Sequence, residues 1–134
     1  MMTLTRRFAF SAAHRLHSTA LDATGNACHY GPCENIHGHN YALEVSVEGR
    51  VDPTTGFFCN VMELKSIVDR LVVDVYDHRL LNDLPQFQGV ITTMENIAQV
   101  IWQQIQPALA ERGMVLTAIQ LGETPDHWVR IIRD

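Results

Sequence analysis

Residues 37–48 read HGHNYALEVSVE, and their alternation decides the fold. His37, His39, Tyr41, Leu43, Val45 and Val47 share one parity; Asn40, Ala42, Glu44, Ser46 and Glu48 share the other. Side chains two apart on an extended chain leave the same face, so this stretch reads as a strand with one apolar face. The same rule sends the imidazoles of His37 and His39 out together, where both can bind one ion.

Upstream, residues 5–14 (TRRFAFSAAH) alternate in the same way, with Phe8, Phe10, Ala12 and His14 on one side. If the two strands pair, His14 comes beside His37 and His39. Three imidazoles from two strands leave a fourth position open, which is the arrangement of a catalytic zinc. A closed structural zinc built from Cys28, Cys33, His37 and His39 is the competing arrangement, although its loop spacings fit structural sites poorly. Residues 15–36 are rich in Gly, Asn, Asp, Pro and His without a period and read as a long loop. Five of the seven histidines fall between residues 14 and 39, so chemistry concentrates there.

Downstream, VDPTTG at 51–56 supplies a turn. Asn60 with Glu63 resembles a capping box, and Val61, Leu64, Ile67, Val68, Leu71, Val72 and Val75 follow helical spacing to an end near Tyr76. Residues 76–89 (YDHRLLNDLPQFQG) form a second irregular stretch. Thr92 with Glu95 repeats the capping pattern ahead of Ile97, Ile101, Ile105, Ala108 and Leu109, and Pro107 is expected to distort or stop that helix. Residues 114–123 alternate again, with Glu123 on the parity of Val115, Ile119 and Leu121, and Trp128–Arg133 make a short last strand. The order ββααββ predicts an α+β fold, an antiparallel sheet covered on one face.

The chain has 134 residues, 46% of them hydrophobic and 19% charged, as expected for one soluble domain spanning 1–134. A net charge of −5 argues against a general nucleic-acid binder, and no apolar run approaches a membrane span. Three cysteines and no secretory pattern after MMTLTRRFAF give the expectation of a cytoplasmic protein without disulfides.

Six blocks in order (FSAAHRLHS, CENIHGHNY, VDPTTGFFCNVMELK, YDHRLLND, TTMENIAQVIW and GETP) together resemble the 6-pyruvoyl-tetrahydropterin synthase superfamily, which includes 6-carboxy-tetrahydropterin synthase of the queuosine pathway. The resemblance implies the T-fold, four antiparallel strands with two helices on one face. It also implies homo-oligomers, trimers or hexamers, whose sheets close into a barrel with active sites at subunit contacts. It implies Zn2+ on His14, His37 and His39, and Cys33 as the proton-abstracting base. His78, with Asp77 beside it, would belong to a proton relay. Glu123 would hold the pterin ring, with further contacts from Thr93 and Glu95; Met94 stands where relatives often have a second threonine. The implied substrate is 7,8-dihydroneopterin triphosphate, with Arg15, His17, Lys65 and Arg79 as candidates for its phosphates.

Members divide by product. One branch forms 6-pyruvoyl-tetrahydropterin. Another forms 6-carboxy-tetrahydropterin with release of acetaldehyde and triphosphate. A third cleaves the side chain to a 6-hydroxymethyl pterin, using a glutamate in place of the cysteine. Cys33, four residues before His37, resembles the carboxy-forming branch, and Glu34 sits where the cleaving branch has its acid. The expected activity is 6-carboxy-tetrahydropterin synthase, a zinc-dependent lyase, with side-chain cleavage or pyruvoyl formation as alternatives. A structural-zinc or pterin-binding module is the non-enzyme alternative.

Overall fold

The computed structural model describes residues 1–134. Its strands are β1 (Met2–His14), β2 (His37–Gly49), β3 (Val115–Thr124) and β4 (His127–Ile132). They form one antiparallel sheet in the order β1-β2-β3-β4, so β1 and β4 are its edges. The helices are α1 (Ala23–Tyr30), α2 (Val61–Val68) and α3 (Met94–Ala110). α2 continues through a π-helical turn, Asp69–Val73, and a last α turn to Tyr76.

The apolar parity of each strand is the core. Phe8, Phe10, Tyr41, Leu43, Val45 and Val47 are buried against Leu64, Ile67 and Val68 of α2 and Ile97, Ile101, Ile105 and Leu109 of α3. The opposite face carries polar pairs such as Ser11 with Asn40 and Thr5 with Ser46. No helix is long and apolar enough to cross a membrane.

Four local expectations change. Residues 15–36 are not all loop: Asp22 caps α1 by accepting from the Gly25 N–H at 2.7 Å, and a 3-10 turn follows at Gly31–Glu34. Buried Asn26 organises this segment through Ser18 N–H and the Ser18, Leu21 and Asp22 carbonyls. A single buried amide leaves no periodic trace, so pattern reading passes over it.

Thr93, not Thr92, caps α3, accepting from the Asn96 N–H at 3.2 Å. α3 passes through Pro107 to Ala110, because Pro107 and Gln103 lie on its exposed face, where water can take the unpaired carbonyl.

The parity assigned to β3 breaks at a bulge. Val47 pairs with Leu116 and Ser46 with Ala118, which leaves Thr117 as the extra residue. Its hydroxyl donates to the Ser46 carbonyl at 3.1 Å. Leu116 therefore faces the core before the bulge and Ile119 and Leu121 after it, while Val115 is exposed. Glu123 is the extra residue of a second bulge, between Gly122 and Thr124, and its carboxylate reaches towards His14.

Candidate active site

His14 is the direct cross-strand partner of His37, and Ala12 that of His39. The register thus gathers three imidazoles at one end of the β1–β2 ladder, with ligand atoms all within 4.8 Å of one another. Their rings pack on each other and on Tyr41, not on His78. Neither Cys28 nor Cys33 joins the cluster, so the closed four-ligand alternative is not assembled. Cys28 is exposed on α1, and Cys33 is partly exposed in the 3-10 turn, where its carbonyl accepts the Leu16 N–H at 2.9 Å.

Hydrogen bonds to backbone carbonyls orient two of the three rings. The Nδ1 of His14 meets the Thr92 carbonyl at 2.7 Å, and that of His37 meets the Asn35 carbonyl at 2.7 Å. A carbonyl can only accept, so each Nδ1 carries a proton, and in the neutral tautomer Nε2 is the free lone pair. The Nε2 atoms of His14 and His39 are buried without a partner. Burial drives the His14 pKa down to about 4, against the pull of the Thr92 carbonyl and with help from His37 and His39. Burial also lowers His39, while Glu123 acts the other way.

Glu123 Oε1 stands 3.7 Å from His14 Nε2. With His14 neutral, this is not an ion pair but two acceptors facing one another. Such a pair needs a cation or an N–H donor between or beside it. Three convergent imidazoles, two of them with buried, unpartnered Nε2 atoms, next to a carboxylate fit a divalent metal.

A second constellation lies on the free edge of β1. Asp77 Oδ1 accepts the Ser11 N–H at 2.8 Å, and Asp77 Oδ2 holds His78 Nδ1 at 2.8 Å. The two adjacent side chains therefore bond each other. The Ser11 N–H, then His78, keep the Asp77 carboxyl below its usual value. His78 adopts φ 58°, a left-handed conformation that a side chain disfavours. It is held there by its own N–H to the Ser11 carbonyl at 2.6 Å and by Ala13 N–H to the Arg79 carbonyl at 2.9 Å. Its ring is 84% exposed and lines a cavity of about 470 Å³ with Ser11, Gly38, His39, Asn40 and Arg79.

The remaining candidates are scattered. Glu34 has a buried, unpartnered Oε2, and its carbonyl accepts Arg15 Nε at 3.0 Å. Thr93 is engaged as the α3 cap, with Glu95 exposed in the first turn. Arg15 and His17 line a separate cavity with Asn82 and Gln88. Lys65 pairs with Asp69 on α2, away from both constellations. Reading by pattern missed Thr92, whose carbonyl orients His14, because that contact uses a backbone atom.

An antiparallel sheet with helices on one face and three histidines at its strand ends defines a T-fold protein with a candidate metal centre. The model of the 6-pyruvoyl tetrahydropterin synthase family matches residues 3–134, and the chain belongs to that family. It is 44% identical over 127 residues to the 6-pyruvoyl tetrahydrobiopterin synthase of Dictyostelium discoideum, covering 94% of this chain and 92% of that protein. It is 34% identical over 116 residues to a provisionally named 6-carboxy-5,6,7,8-tetrahydropterin synthase of Archaeoglobus fulgidus, covering 87% and 92%. The solved 6-pyruvoyl tetrahydropterin synthase of Caenorhabditis elegans superposes with a TM-score of 0.91 at 35% identity, covering 99% of this chain and 96% of that one.

Proposed function

We propose that this chain is a zinc-dependent lyase that converts 7,8-dihydroneopterin triphosphate and water to 6-carboxy-tetrahydropterin, acetaldehyde and triphosphate. The observation that carries the reading is the inward convergence of His14, His37 and His39 beside Glu123. Imidazole donors of this number suit Zn2+, which would supply Lewis-acid polarisation of a substrate hydroxyl at the open position.

The chain's own residues do the rest. Cys33 takes a proton from the pterin side chain as thiolate. Asp77 fixes the tautomer of His78, so that Nε2 gives or receives a proton while Nδ1 stays held. Glu123 accepts the paired N–H groups of the pterin, which relieves its uncompensated position near His14. Thr93 and Glu95 add pterin contacts, and Glu34 offers a second base for side-chain cleavage to a hydroxymethyl pterin.

Residues 1–134 act as one cytoplasmic domain that assembles as a trimer or hexamer. The unpaired outer edge of β4, and that of β1 ahead of Ser11, support assembly.

The short spacing from Cys33 to His37 favours the carboxy product. The 44% identity to the Dictyostelium enzyme favours a second reading, formation of 6-pyruvoyl-tetrahydropterin. Mass analysis of products from zinc-loaded protein, with an acetaldehyde assay, separates them. Acetaldehyde in step with triphosphate supports the first; pyruvoyl product without acetaldehyde establishes the second.

A further inference from the structure

The strand that carries His14 ends there, yet its backbone direction is held for one residue more. The Oδ1 of Asn82 accepts the Arg15 N–H at 2.9 Å, and Asn82 Nδ2 donates to the Arg15 carbonyl at 3.0 Å. One side-chain amide thus bonds Arg15 as a neighbouring strand would. The same Arg15 carbonyl accepts the Thr92 hydroxyl at 3.0 Å. The Thr92 carbonyl in turn holds His14 Nδ1 at 2.7 Å. Thr92 is fully buried and His14 nearly so, leaving no water to substitute for these bonds.

Asn82 is itself braced. It lies on the 3-10 turn Leu81–Asp83, anchored by fully buried Leu81, and Gln88 Nε2 donates to its carbonyl at 2.9 Å. Four residues earlier the same segment carries His78.

We propose that Asn82 and Thr92 are positioning residues that hold His14 in its ligating orientation through the Arg15 backbone. This rests on the zinc reading above. Neither residue touches metal or substrate; each acts by fixing where the His14 Nε2 points. A ligand's outer partners typically set about 10- to 100-fold of metal affinity.

The test is zinc affinity of the full chain, measured by chelator competition, alongside circular dichroism. Asn82→Asp keeps the acceptor for the Arg15 N–H but sets a carboxylate oxygen against the Arg15 carbonyl. Thr92→Val keeps the shape and the carbonyl to His14 but loses the hydroxyl. Each is expected to stay folded and bind zinc about 10- to 100-fold more weakly, with Thr92→Ser returning affinity to within about 3-fold of wild type. Folded Asn82→Asp and Thr92→Val proteins with wild-type affinity overturn the proposal. If Asn82→Asp does not fold, the Thr92→Val and Thr92→Ser pair decides it. A wild-type chain that takes up no zinc overturns both this proposal and the reading beneath it; unchanged affinity in the variants overturns only this one.

Discussion

Neutral His14 makes the metal-free fold acid-sensitive, with His39 shifted in the same direction. The His14 imidazole goes from 6.5 to about 4 on folding, because burial removes the water that would stabilise the charged ring. The folded value lies below the unfolded one, so the unfolded chain takes up the proton first. Stability from the neutral ring is therefore complete above about pH 6.5 and is lost as pH falls towards 4. Below both values the whole difference, about 3 kcal/mol, opposes folding. At pH 5 about 2 kcal/mol of it is already expressed relative to pH 7. Asp77, lowered from 3.8, loses its contribution only at more acid pH and barely enters this interval.

The assay is urea unfolding in EDTA at one protein concentration, at pH 7 and pH 5, for wild type and His14→Gln. The variant starts less stable, but the quantity read is each protein's own difference between the two pH values. His39, lowered in the same direction, is present in both proteins and cancels. Wild type should lose about 2 kcal/mol more than the variant. Equal losses would refute the claim that His14 is held neutral by burial.

Three further outcomes are expected. Cys33→Ala should keep zinc and pterin binding but lower turnover at least ~10-fold, the usual scale of a positioned base; full activity would move that role to Glu34 or elsewhere. Tyr41→Phe removes a buried hydroxyl without a partner in this chain, so the urea midpoint should hold or rise; a loss above about 1 kcal/mol would reveal a hidden bond. Gly122→Ala places a Cβ 2.8 Å from the Trp128 ring and should cost about 1–3 kcal/mol, and an unchanged midpoint would mean that the indole moves aside freely.

What the sequence revealed and what it hid follow from how each contact is encoded. Alternation of side chains is a property of the strand itself, so Phe8, Phe10 and His14 could be placed with Tyr41, His39 and His37 before any pairing was known. The bulge at Thr117 could not, because an extra residue changes parity without changing composition. The α1 cap and Asn26 were hidden for a similar reason: each depends on one side chain meeting backbone atoms nearby, and no period results.

At the site the division is the same. Ligand types and their spacing are written in the letters, and His37 and His39 are readable at once. The tautomers of His14 and His37 are not, because they depend on carbonyls of Thr92 and Asn35 that any residue could supply. The Asp77–His78 bond was undecidable from adjacency, since consecutive side chains ordinarily diverge. It forms because His78 adopts φ 58°, and it adopts that angle because Ser11 and Ala13 bond the segment along the open edge of β1. One edge strand thus positions His14 at its end and His78 along its side. Disturbing the bonds between segment 77–82 and β1 should therefore affect metal affinity and proton transfer together.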